Sequence, residues 1–315
     1  MGSTSMRRVR PETACGEAIT DQDVKARYAA IYDALLASWP VPYEQRDVAT
    51  TLGRTHVVIS GPRNAPSLVL LHAFQATATV WRPNIDALSR RFRVYAVDII
   101  GQGGKSESNQ PIKRRRDFAN WMCELFDTFD IAQASLVGNS YGAFLALNQA
   151  SLAPARVDRV VMINPAGVFA SFVPQVSRML INRLLVALHL KAKPPQVAIG
   201  SFLGRNVVLR PDEQEWAGLV SLVAFTNVAR PNAILPTVFS RAELRAIRAP
   251  VLLLMGDNDL LYDPHATVRR ALDRMPSIEA AIVPNAHHMA AMAKPDEVSA
   301  QIIEFLQRAP TSIAK

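Results

Sequence analysis

The chain has 315 residues, 49% of them hydrophobic and 20% charged, which is enough to bury a large core and excludes the disordered and fibrous classes. Its formal charge of +8 comes from dispersed basic residues, with one compact run at Lys113-Arg114-Arg115-Arg116. No recognition motif accompanies that run, so we expect no nucleic-acid partner and read the run as a solvated loop before a helix. Cys15 and Cys123 are far apart and lack metal-ligand spacing, which argues against a disulfide framework or a metal site. No apolar stretch follows Arg7, Arg8 and Arg10, and no run approaches the ~18 apolar residues of a spanning helix. A soluble, cytoplasmic protein with no membrane association is expected.

Residues 21–39 place Val24, Tyr28, Ile31, Tyr32, Leu35, Leu36 and Trp39 at helical spacing, ended by Pro40. Residues 47–60 alternate around Leu52-Gly53-Arg54 and predict a β-hairpin. Beyond the hairpin, apolar strands at 67–71, 94–100, 134–137 and 160–163 are separated by helices at 81–92, 117–129 and 141–151. The same rhythm returns with strands at 251–255 and 280–283 and helices at 264–274 and 296–308. Strands that are apolar throughout, alternating with helices, predict an α/β fold with a mostly parallel sheet covered on both faces. Between the two halves, helical segments at 177–190 and 213–225 are broken by prolines and predict an inserted helical cap. The expected organisation is an N-terminal helical arm at 1–44, a core at 45–166 and 246–315, and a cap at 167–245.

Gly138-Asn139-Ser140-Tyr141-Gly142 fits G-x-S-x-G between a predicted strand and a predicted helix, the setting of a nucleophile elbow. A serine hydroxyl attacks only when a base takes its proton, and that base needs an acid to orient it. Gly256-Asp257-Asn258-Asp259 follows one late strand and Asn285-Ala286-His287-His288 follows the next, at the strand ends where open α/β sheets collect catalytic groups. Asp257 and Asp263 compete with Asp259, and His287 competes with His288. We read Asp259 as the acid, His288 as the base, Asp257 as a turn cap and His287 as a packing neighbour. Backbone N–H groups of Phe74 and Tyr141 are the expected oxyanion donors, with His72 bracing the Phe74 loop. His56, His189 and His265 are assigned structural roles and Trp81 to the core. No cofactor and no metal are called for.

At these residues the chain resembles the α/β-hydrolase superfamily from about residue 45 onward. The signposts are His72-Ala73-Phe74, Asp98-Ile99-Ile100-Gly101-Gln102-Gly103, the elbow, Gly256-Asp257-Asn258-Asp259, and His288. Ala73 stands where the superfamily usually has Gly, and Ala143 where a further Gly is common. Within the superfamily, Trp39-Pro40-Val41, Thr55-His56-Val57-Val58, Tyr95-Ala96-Val97-Asp98-Ile99-Ile100-Gly101 and Tyr262-Asp263-Pro264-His265 are similar to the bacterial naproxen-ester carboxylesterase group. The resemblance implies a serine esterase acting on a small-molecule ester, with a cap that shapes its pocket.

Apolar cap residues such as Phe169, Phe172, Phe202 and Phe225 suit an apolar acyl or aryl group, and equally the packing of cap on core. Arg178, Arg183, Arg205 and Arg210 suit an anionic substrate or simple solvation. Two rival readings stand beside the esterase. Asn139 gives the elbow a Gly-Asn-Ser sequence shared with carbon–carbon bond hydrolases of β-diketone-type ring-fission products. A low-turnover ligand-binding protein on the same scaffold is the other.

Overall fold

The computed structural model describes residues 21–171, 232–275 and 277–308. In chain order the elements are α1 (Asp21–Ala37), β1 (Tyr43–Thr50), β2 (Gly53–Ser60), β3 (Ser67–Leu71), α2 (Arg82–Ser89), β4 (Arg93–Val97), β5 (Glu107–Ser108), α3 (Arg115–Thr128), β6 (Ala134–Asn139), α4 (Tyr141–Leu152) and β7 (Val157–Ile163). After the undescribed stretch come α5 (Arg241–Ala246), β8 (Val251–Gly256), α6 (Pro264–Arg274), β9 (Ile278–Val283), α7 (Ala290–Ala293) and α8 (Pro295–Gln307). The strands form a single sheet in the order β1-β2-β4-β3-β6-β7-β8-β9, with β5 on β2. β1, β2 and β4 pair antiparallel, and every pairing from β4 across to β9 is parallel.

The strands near the middle are buried on both faces because alternate residues feed two cores. Val69, Leu71 and Leu136 face a cluster with Phe118, Trp121, Tyr141 and Phe144 from α3 and α4. Leu68, Leu70 and Val137 face a second cluster with Tyr32, Trp81, Ile85, Ile302 and Phe305. Helices therefore cover both sides of the sheet, as the alternating pattern predicts. Trp81 is fully buried, in keeping with its core assignment.

Several boundaries differ from the sequence reading, most by a few residues, and three have a clear physical reason. The strand expected at 94–100 ends at Val97: the Asp98 N–H still pairs with the His56 carbonyl, but the next N–H, that of Ile99, is taken by a side chain. Asp98 accepts from the Ala78 and Lys105 N–H groups, and the Ile99 N–H donates to His72. The helix expected at 81–92 is a 3₁₀ turn, Ala78–Trp81, followed by α2, whose first turn holds Pro83. The basic run is not a solvated loop throughout. α3 begins at Arg115, whose guanidinium bonds Asn148 and Glu243 at 2.8 and 2.6 Å and lies 3.9 Å from the Phe239 ring centre.

Most of the expected cap lies outside the described residues, including its predicted helices, His189, Phe172, Phe202, Phe225, Arg178, Arg183, Arg205 and Arg210. Its two described ends lie side by side. Val168 and Val238 form a parallel bridge, and the Phe239 N–H donates to the Val168 carbonyl. Phe169 is buried in the core that α3 and α4 line. Among the described residues no helix is long and apolar enough to cross a membrane.

Candidate active site

β6 runs between β3 and β7, and the chain reverses at its end into α4. Ser140 makes that reversal at φ 53° and ψ −108°, a left-handed conformation that a non-glycine residue holds only when its surroundings impose it. The surroundings do so through close approach. A Cβ at Gly138 would fall 2.2 Å from the Gly142 backbone, and one at Gly142 would fall 2.1 Å from the Leu71 carbonyl. The Ser140 N–H donates to the Ile163 carbonyl at 2.8 Å and its carbonyl accepts from Ala166 at 3.1 Å. Its Oγ is thereby fixed above the sheet at the start of α4.

The loops after β8 and β9 are joined to each other. The Asn258 N–H donates to the Ala286 carbonyl, and Asp257 accepts from the Ala286 N–H at 3.1 Å, so Asp257 does cap this turn. A Cβ at Gly256 would meet the Ala286 carbonyl at 2.4 Å. The joined loops bring His288 Nε2 to 2.9 Å from Ser140 Oγ and His288 Nδ1 to 2.9 Å from Asp259 Oδ2. A carboxylate only accepts, so the imidazole hydrogen sits on Nδ1 and the Nε2 lone pair faces the serine hydroxyl. All three residues are buried.

Asp259 Oδ1 accepts from the Leu261 and Tyr262 N–H groups at 2.7 and 3.4 Å, and Oδ2 from Asn164 Nδ2 at 2.8 Å. Burial opposes the charged form of Asp259. The His288 charge and the hydrogen bonds from His288, Leu261 and Asn164 outweigh it and hold the carboxyl below its ordinary value. The Tyr262 hydroxyl accepts from the Gly167 N–H at 2.9 Å, and burial pushes this phenol up to about 12.

Each sequence-predicted residue can be located. Asp263 caps α6 through the Ala266 N–H rather than reaching His288. His287 Nδ1 accepts from the Met289 N–H at 3.1 Å, as a neighbour of His288. His56 is buried and bonded to Asp47, and His265 is exposed at the start of α6. His72 Nδ1 donates to the Ala73 carbonyl while its Nε2 accepts from Ile99, so the ring does brace the Phe74 loop. That loop closes as a turn, with Ala76 N–H to Ala73 carbonyl at 3.0 Å and Gln75 at φ 57°. The Phe74 ring packs edge-on against Tyr141, which sets the two expected donor residues side by side. Asn139 is buried, and its Oδ1 has no hydrogen-bond partner among the described residues. Its Nδ2 donates toward the His288 carbonyl at 3.5 Å and lies 3.4 Å from Met289 Sδ.

Sequence reasoning missed Asn164 and gave Tyr262 no role at the site. The available signal was positional, since Asn164 directly follows β7 as Asp259 and His288 follow the neighbouring strands. Among the described residues no cluster of three His, Cys, Asp or Glu side chains gathers as a metal site.

A parallel sheet with a serine on a strained strand-to-helix turn, faced by a histidine and an aspartate from later strand ends, defines an α/β hydrolase. Residues 68–301 match the alpha/beta hydrolase family, and the chain belongs to that family. Carboxylesterase YbfK of Bacillus subtilis is 36% identical over 89% of this chain and 93% of that protein. The uncharacterized carboxylesterase nap of the same organism is 35% identical over 92% of this chain and 95% of its own length. The crystal structure of naproxen esterase (carboxylesterase NP) from Bacillus subtilis superposes with a TM-score of 0.81 at 34% identity, over 90% of this chain and 99% of that one.

Proposed function

We propose that this α/β hydrolase cleaves carboxylic esters of small hydrophobic molecules through an acyl-enzyme on Ser140. The observation that carries the proposal is the unbroken line from Asp259 through His288 to Ser140 Oγ, with both hydrogen bonds at 2.9 Å. The similarity to two carboxylesterases over most of both chains supports the choice of bond.

His288 Nε2 takes the proton of Ser140 as Oγ adds to the ester carbonyl, and Asp259 stabilises the imidazolium on its Nδ1 side. The Phe74 and Tyr141 N–H groups hold the oxyanion, and neither amide is otherwise engaged among the described residues. Collapse of the adduct expels the alcohol, which receives the proton from His288. Water then attacks the acyl-enzyme, again giving its proton to His288, and the acid leaves with Ser140 restored. Residues 167–245 serve as a cap over this site, an arrangement supported by the paired ends at Val168 and Val238. Only the Nδ2 of Asn139 is engaged, on the loop that carries His288, and the choice of an ester bond rests on the carboxylesterase relatives rather than on this residue.

Ser140→Ala tests the proposal. With a p-nitrophenyl ester of a short apolar acid, kcat/KM should fall by roughly four orders of magnitude or more, and a fluorophosphonate probe should label only the wild-type protein. Wild-type turnover by the variant would refute the mechanism, and an unlabelled, inactive wild-type protein would favour a ligand-binding role.

A further inference from the structure

We infer that Asn164 is a positioning residue for the Ser140 chemistry, because its single buried amide ties together the β8 turn, the acid Asp259 and the loop carrying His288. The inference rests on the reading of Ser140, His288 and Asp259 given above. Asn164 is fully buried, and its backbone at φ 45° turns the chain at the end of β7. Its own N–H still donates to the Leu254 carbonyl at 2.9 Å, extending the pairing of β7 with β8 by one residue. The side chain then makes three bonds. Oδ1 accepts from the Gly256 N–H at 3.0 Å, while Nδ2 donates to Asp259 Oδ2 at 2.8 Å and toward the His287 carbonyl at 3.4 Å.

Partner chemistry leaves the amide one orientation. Gly256 offers only a donor, and Asp259 and the His287 carbonyl offer only acceptors, so a flipped amide would lose all three bonds. Asn164 and His288 also meet the same carboxylate oxygen. The negative charge on Oδ2 is therefore divided between a fixed amide and the imidazole. Without the amide that charge acts on His288 alone, which stabilises the imidazolium and raises the pH at which it gives up its proton. The carboxylate is then held only at Oδ1, by the Leu261 and Tyr262 N–H groups, and the alignment of the base with Ser140 loosens. Among the described residues, the other titratable side chains that the structure sets around the pair are Tyr262, His287 and Asp257.

Two variants of the full chain separate the parts of this role. Asn164→Gly keeps the left-handed backbone accessible and removes the amide. Asn164→Asp keeps the shape and sets a second acid against Asp259. For folded protein, matched to wild type by circular dichroism, kcat should fall about ten- to hundredfold with KM changed less than about twofold. The acid limb of the kcat/KM profile should move to higher pH in Asn164→Gly. The pH dependence of fluorophosphonate labelling at Ser140 should move with it, a readout independent of ester binding. Wild-type kcat, a loss confined to KM, or a lower kcat with the acid limb unmoved would each overturn the inference. If wild-type protein neither turns over esters nor takes the label, the Ser140 reading fails first. If wild type does both and the variants match it, only the role of Asn164 fails.

Discussion

His72 and His288 are both buried with a ring hydrogen on Nδ1, but their other nitrogens meet different partners. His288 Nε2 faces the Ser140 hydroxyl. His72 has an N–H donor, that of Ile99, against its Nε2, and burial holds its proton affinity below the ordinary value of 6.5, although Asp98 pulls the other way. The unfolded chain therefore binds a proton at His72 near the ordinary value and the folded chain does not. The stability tied to this ring is complete above that pH and is lost as pH falls from it toward the lower folded value, at up to about 1.4 kcal/mol per unit. His72→Gln should lower stability at neutral pH by about 1–3 kcal/mol and flatten the decline of Tm on mild acidification, as read by calorimetry. An unchanged slope would show that His72 is not the titrating group. Residue-level legibility followed the same physics. Ser140 and His288 were readable because reactive side chains sit at fixed places in a motif and in chain order. Asn164 was not, since a neutral amide carries no motif and meets Asp259 only across 95 residues of intervening chain.

The elbow is the element whose geometry was most fully written in the sequence. Gly138 and Gly142 are required by contact distance as much as by torsion, because the Leu71 carbonyl of β3 occupies the space of a Gly142 side chain. Gly142→Ala should shift α4 away from β3, costing about 1–3 kcal/mol, and should abolish labelling of Ser140. A labelling rate equal to wild type would show that the turn tolerates a methyl group. Other element ends were less readable. β4 stops early because His72 takes the Ile99 N–H that would otherwise extend the ladder, while the Asp98 side chain holds the Ala78 and Lys105 N–H groups of the adjoining turns. α3 starts early because Asp117 accepts from the Arg114 N–H and caps a first turn that begins within the basic run. Side chains that compete for the backbone decide such boundaries, and periodicity does not see them.

At the scale of the molecule, the parallel sheet and its two-sided cover followed from apolar strands alternating with helices, while the cross-ties between distant segments did not. Arg115 is the clearest of these. Its side chain is 21% exposed and joins α3 to α4, to α5 and to Phe239, whereas Arg90, 71% exposed, pairs with Asp86 along one helix face. Arg115→Ala should cost about 2 kcal/mol in chemical denaturation, against less than about 0.5 kcal/mol for Arg90→Ala. Equal effects would mean that the segment after residue 231 is held by something else.

The spacing of Ser140, Asp259 and His288 along the chain bears on how the protein is made. Synthesis delivers the serine first, and its base arrives 148 positions later. Until β8 and β9 have added to the edge of the sheet, a nascent chain can present a formed elbow with no group to take its proton. On the proposed reading, hydrolysis waits until residue 288 has been laid down and the loops after β8 and β9 have joined, so that the nucleophile stays chemically quiet until its base is in place.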